Sequence, residues 1–155
     1  MNGRFIVSPL VVLLVVVGST SVSADEGDAQ NLVADAVRGK VILLDPGHQL
    51  GNSNRRSAKQ MSRKKFNGTS VKGCNTTGTA TNSGYPEAIF NWKIARKLKR
   101  MLEAQGAEVH LTRTRNSRDA WGPCVWDRAL QANRIGADIM INIHADGSSR
   151  KNRGF

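Results

Sequence analysis

Acidic side chains are scarce in this sequence. Its 155 residues carry 12 Asp and Glu against 23 Lys and Arg, a formal net charge of +11. The deficit is sharpest between Pro46 and Glu87, where Arg55, Arg56, Lys59, Arg63, Lys64, Lys65 and Lys72 meet no acidic residue at all. A chain this basic is drawn to anionic surfaces such as wall polymers, anionic lipid or nucleic acid. The alternative is that the charge only keeps a small domain soluble. Aromatics are also few, at 5%. Only Phe66 interrupts the basic run, so stacking platforms for nucleic acid are missing, and nucleic acid is set aside as a partner. No G-x-S-x-G, G-x-G-x-x-G or Walker loop occurs, which removes the common signatures of serine hydrolases, dinucleotide binding and P-loop phosphate binding. Internal repeats and coiled-coil heptads are absent too.

Long apolar runs are confined to the N-terminus. Arg4 precedes an apolar stretch from Pro9 to Val17, then small residues lead to Val22-Ser23-Ala24. A positive start, a short apolar region and a small-residue cleavage site read as a signal peptide over residues 1–24. The rival is an uncleaved anchor, but the run falls short of the ~20 residues a spanning helix needs. No later segment qualifies as a membrane span. Removing Arg4 with the signal takes the charge from +11 to +10. Residues 25–155 suffice for one domain with a core but not for two, and a secreted monomer is the expectation. Only two cysteines occur, Cys74 and Cys124. With no C-x-x-C pair a thiolate metal site is weakly supported, whereas in an exported chain the two read as one disulfide. Closing a loop of that length stabilises by roughly 4 kcal/mol in the chain-entropy model.

The remaining chain alternates strands and helices. Residues 25–39 form a polar lead-in, either a short helix or a tether. Val41-Ile42-Leu43-Leu44 is a continuous apolar run stopped by Asp45-Pro46-Gly47, as a buried strand ending in a turn would be. From His48 to Tyr85 no periodicity is found, and a connection so long is usually functional or disordered. Pro86 and Glu87 open a helix whose inward face takes Asn91, Ile94, Ala95, Leu98, Met101 and Leu102, ended by Gly106. Glu108 to Arg113 alternates as a strand. A second helix runs from about Pro123 to Ile135, before Gly136, and Ala137 to His144 gives another buried strand. The order predicts an α/β fold, a single domain with a mixed, mostly parallel sheet flanked by helices.

Three residues stand where ligands bind in such sheets, beyond the carboxyl ends of the strands. His48 follows the first strand, His144 ends the last, and Glu87 lies in the first turn of the first long helix. Two neutral imidazoles and one carboxylate make a catalytic Zn²⁺ arrangement with one open position. Such a metal activates water and polarises a carbonyl without a serine or cysteine nucleophile. By spacing alone, two histidines and a glutamate scattered over 97 residues carry little weight, since a helix-start Glu often only complements the dipole.

The words around them carry more. Val41-Ile42-Leu43-Leu44-Asp45-Pro46-Gly47-His48, Gly84-Tyr85-Pro86-Glu87, Leu111-Thr112-Arg113, Arg128 with Ala132-Asn133, Ala137-Asp138 and Ile143-His144-Ala145-Asp146-Gly147 resemble, in order and spacing, the signatures of the zinc-dependent N-acetylmuramoyl-L-alanine amidase catalytic domain. The resemblance covers residues 40–155. Cys74-Asn75-Thr76-Thr77-Gly78-Thr79-Ala80 with Gly122-Pro123-Cys124 is similar to the small secreted actinobacterial members, which carry one disulfide. It implies that His48, Glu87 and His144 bind Zn²⁺, and that the substrate is peptidoglycan or muropeptides, cut between N-acetylmuramic acid and L-alanine. It also implies a general-base glutamate on a further strand, expected beyond Phe155. On that expectation the catalytic domain is incomplete at its C-terminus, lacking one strand and one helix, and Glu103 and Glu108 are poor substitutes. Asp45 and Asp146 flank the histidines and are candidates to orient them as acceptors, although Asp45 serves equally as a turn residue. His110 matches no ligand position and reads as structural or surface. The basic loop, with Arg150, Lys151 and Arg153, either recruits anionic wall polymer or is a solvated, mobile segment. The rivals to an enzyme are a non-catalytic or regulatory wall-binding module and a zinc peptidase acting on another bond.

Overall fold

The computed structural model describes residues 35–147. The signal segment 1–24, the lead-in as far as residue 34, and Arg150, Lys151 and Arg153 lie outside the described residues. The fold is built on β1 (Val41–Pro46), whose Ile42, Leu43 and Leu44 are at most 1% exposed. β1 leads into two short 3₁₀ turns, Leu50–Ser53 and Arg55–Ser57, and a single helical turn, α1 (Ala58–Met61). An antiparallel hairpin follows, β2 (Lys64–Phe66) and β3 (Val71–Gly73). The chain then forms α2 (Glu87–Ala104), β4 (Glu108–Leu111), α3 (Val125–Ile135) and β5 (Ile139–Ile143).

The main sheet has the order β4-β1-β5, and both pairings are parallel. The mostly parallel α/β architecture is as expected, and among the described residues the antiparallel pairing is confined to the separate hairpin. Alternation along β1 sends successive side chains to opposite faces. Ile42 and Leu44 join Ala107 and Val109 in the core, covered by Leu98 and Leu102 of α2. Asp45 points the other way and meets Arg128 of α3. One helix therefore covers each face, and the crossovers leave the carboxyl ends of β1 and β5 side by side. Their register is level there: Pro46 pairs with Ile143, and the Gly47 amide donates to the Ile143 carbonyl at 2.9 Å.

The stretch from His48 to Tyr85, for which the sequence left function or disorder open, contains the turns and the hairpin. It folds without a periodic signal because its strands are three residues long and exposed throughout. It is held by the Cys74–Cys124 disulfide and by ladder-like bonds from the Cys74 amide to the Arg63 carbonyl and from the Val125 amide to the Cys74 carbonyl, each 2.8 Å. The inward face of α2 is also rotated from the predicted one. Glu87, Ala88, Asn91 and Ala95 are buried, while Ile94 and Met101 are exposed. Small residues at 88 and 95 let the helix approach β1 closely and turn the bulkier pair outward. Finally, β5 is less covered than its composition suggests: it lies at the sheet edge, and of its residues only Ile143 is buried. Gly136, in the left-handed region at φ 61°, ends α3 as expected.

Candidate metal centre

β1, α2 and β5 each deliver one side chain to a common point. His48 Nε2 lies 3.3 Å from Glu87 Oε1, and His144 Nδ1 lies 3.1 Å from the same oxygen. The two imidazoles meet edge-on, their planes 89° apart and their centroids 4.9 Å apart. All three ligand atoms fall within 4.8 Å of one another. Two donors bound tetrahedrally to one zinc at its usual bond lengths stand about 3.3 Å apart, so both His–Glu separations suit a shared ion. The donor set, two imidazoles and a carboxylate, suits zinc chemically as well.

His48 and Glu87 are each held from behind, whereas His144 bonds only to Glu87 among the described residues and is half exposed. The Thr76 carbonyl lies 3.0 Å from His48 Nδ1, and accepting a proton from it fixes the tautomer that leaves Nε2 free as a donor of electrons. Asn52 steadies that carbonyl, donating to it at 2.7 Å while its own Oδ1 accepts from the Gly122 amide at 2.9 Å. His48 adopts φ 61°, and no other non-glycine described residue has positive φ. Such backbone outliers cluster at functional sites.

Glu87 is the centre of the network. Its Oε2 accepts from the Thr79 amide at 2.9 Å, and its Oε1 accepts from the Ala145 amide at 3.0 Å and Asn91 Nδ2 at 3.2 Å. Burial pushes its pKa up, but the Thr79, Ala145 and Asn91 donors and the neighbouring His48 outweigh it and hold the pKa down at about 2. The group is therefore a carboxylate at neutral pH. Asn91 also donates to the Gly47 carbonyl at 3.2 Å, tying the helix to the end of β1. Two glycines admit the imidazoles. A Cβ at Gly47 would lie 2.2 Å from the His144 ring, and one at Gly78 would lie 2.7 Å from His48 and 2.8 Å from Glu87. Gly78 also has φ +77°, so a side chain there is excluded twice over.

Behind the centre lies a buried charged layer. Asp45 accepts from Thr112 Oγ1 at 2.6 Å and from Arg128 NH1 at 3.0 Å. Arg113 donates to the carbonyls of Pro46, Arg115 and Ala88 and lies over the Trp92 ring, 4.8 Å from its centroid. Burial lowers the Arg113 pKa to about 10, helped by the charge of Arg128 and opposed by Asp45. It stays charged at neutral pH.

The structure brings the three expected ligand residues together, but their supports are not the ones the sequence suggests. Asp45 does not orient an imidazole, because both its oxygens are engaged by Thr112 and Arg128. Asp146 is exposed on the rim of a cavity of about 520 Å³ beside Glu87, with no bond to either imidazole among the described residues. The groups that do hold the ligands include the Thr76, Thr79 and Ala145 main chain, invisible to any residue-type argument. Asn91 was readable only as a polar residue on an otherwise apolar helix face. His110 pairs with Glu108 on the surface, as expected of a residue outside the site. Arg55, Arg56, Lys59, Arg63, Lys64 and Lys65 are all exposed. Glu103 is engaged by Lys99 near the far end of α2.

Residues 42–155 match the sequence profile of the N-acetylmuramoyl-L-alanine amidases. The chain belongs to that family. Among curated relatives, N-acetylmuramoyl-L-alanine amidase Rv3717 of Mycobacterium tuberculosis is 38% identical over 119 residues, 77% of this chain and 47% of that one. AmiA of Escherichia coli is 30% identical over 108 residues, 70% of this chain and 28% of its own. The crystal structure of the N-acetylmuramyl-L-alanine amidase Ami1 from Mycobacterium smegmatis superposes with a TM-score of 0.64 at 34% identity, covering 72% of this chain and 49% of Ami1. The chain spans about half the length of the first of these relatives. Among the described residues no helix is long and apolar enough to cross a membrane.

Proposed function

We propose that this family member hydrolyses the amide between N-acetylmuramic acid and L-alanine in peptidoglycan or muropeptides, outside the cytoplasm, with one zinc ion held by His48, Glu87 and His144. The observation that carries the reading is the convergence of His48 Nε2, Glu87 Oε1 and His144 Nδ1 at a solvent-accessible rim of the sheet. Held by His48, Glu87 and His144, zinc would supply Lewis acidity towards a substrate carbonyl and a water. The chain's own part is to present two neutral imidazoles and one charged carboxylate in a fixed array. Thr76 sets the His48 tautomer, and the amides of Thr79 and Ala145 keep Glu87 ionised. No described residue is assigned to proton transfer. The Cys74–Cys124 bond and a signal segment at residues 1–24 agree with an exported protein. The exposed basic loop suits recruitment to anionic wall polymer, and a monomer suffices for the site.

Elemental analysis of the folded chain should find one zinc per molecule. Glu87→Ala should weaken zinc binding by more than the roughly 10–100-fold that loss of a supporting hydrogen bond costs. Muropeptide digestion followed by mass spectrometry should give a lactyl carboxylate and a peptide beginning at L-alanine, and chelator should abolish it. Cleavage at another amide, or a chain that takes up no zinc when offered it, would overturn the proposal. Stoichiometric zinc with no hydrolysis would turn it into a wall-binding module.

A further inference from the structure

The hairpin and α3 enclose a second cavity that the metal centre does not use. It measures about 660 Å³ and is walled by Phe66, Val125, Trp126 and Leu130, with Lys65 and Lys72 at its edge. A smaller cavity of about 260 Å³ contains both His48 and His144, and it shares Lys72 and Val125 with the larger one. The groove therefore adjoins, at Lys72 and Val125, the cavity that contains the two imidazoles.

Its charge is unusual for a hairpin. Lys65 and Lys72 are direct cross-strand partners. Like charges in that position repel, and among the described residues neither lysine forms a salt bridge. Both line the same groove. Next to them Phe66 and Val71, also paired across the strands, are each about 60% exposed. Two unneutralised ammonium groups beside uncovered apolar surface are complementary to a ligand that alternates carboxylates with small apolar groups.

We propose that this groove is the subsite for the peptide arm of the substrate, an acidic peptide running from the metal centre past Lys72 and Lys65 over Val125 and Trp126. The assignment rests on the amidase reading above, in which the amine side of the cleaved bond begins with L-alanine. The carboxylates of the arm take the two lysine ammonium groups, and its methyl-bearing residues cover Val125, Leu130 and the Trp126 ring. The arm is therefore held by the hairpin side of the site.

The test uses the full chain loaded with zinc and ¹⁵N-labelled, titrated with the tetrapeptide L-alanyl-γ-D-glutamyl-L-lysyl-D-alanine and with the same peptide amidated at its carboxyls. Saturable shifts are expected at Lys65, Lys72 and the Trp126 indole. Affinity should fall about tenfold with the amidated peptide and in the Lys65→Met/Lys72→Met double variant, and it should weaken with salt. Equal affinity in the double variant, or shifts confined to the cavity at Tyr85 and Phe90, would overturn the subsite. Muropeptide hydrolysis separates the two readings. Turnover with an unchanged KM in the double variant defeats the groove and leaves the amidase intact. Peptide binding in the groove without turnover supports the groove and counts against the amidase.

Discussion

The two sides of the metal centre are built on opposite principles. On one side β1 is sealed between two helices, with Leu43 and Leu44 fully buried and a charged layer of Asp45, Arg113 and Arg128 closed over its end. On the other side the hairpin buries no side chain of its own strands and is fastened by one disulfide and a few main-chain bonds. His48 lies at the junction. Its position comes from β1, whereas its tautomer comes from Thr76, on the loop side. Packing fixes where the ligand is, and the loop fixes what it can do. The comparison predicts that damage on the sheet side costs global stability, while damage on the loop side costs metal affinity first.

The largest effect should come from the buried pair. Arg128→Met leaves the buried Asp45 with only the Thr112 hydroxyl and the nearby charge of Arg113 and should cost up to about 3–5 kcal/mol, read as a lower urea midpoint. Replacing both Cys74 and Cys124 by Ser should cost about 2–4 kcal/mol and should weaken zinc binding as well, because Thr76 lies two residues beyond Cys74. Calorimetry with and without zinc separates the two losses. If the double variant kept full zinc affinity, the loop would not control His48 and the comparison would fail. Phe66→Ser, at an exposed hairpin position, should change stability by no more than about 0.5 kcal/mol. A drop of several kcal/mol there would mean the hairpin packs far more tightly than its exposure indicates.

Legibility in the sequence follows the same divide. β1, α2, β4, α3 and β5 were readable to within a few residues, because each is long enough for apolar periodicity to repeat. β2 and β3 were not: Lys64-Lys65-Phe66 has neither alternation nor a buried face. The ligands stood out because each sits in a distinctive run of residues at an element boundary. Of the two readings open for Asp45, orienting an imidazole is not met, and its partner Arg128, 83 positions away, leaves no local signal. On α2 hydrophobic spacing is a poor guide at Ile94 and Met101, because Ala88, Asn91 and Ala95 set the closeness of approach. Asn91 shows the cost of that guide most clearly. It shares the helix face with the apolar residues, yet it joins the carboxylate of Glu87 to the strand end.

The level ending of β1 and β5 has a consequence for what the centre can accept. The imidazole centroids lie 4.9 Å apart, close to the ~4.8 Å between adjacent strands in any sheet. The main chain that carries both histidines is thus anchored by amide-to-carbonyl bonding, the Gly47 amide on the Ile143 carbonyl. An ion that favours short bonds to two nitrogens and one carboxylate suits that anchorage. Larger ones such as calcium, which call for about six or more oxygens, would find too few of them here.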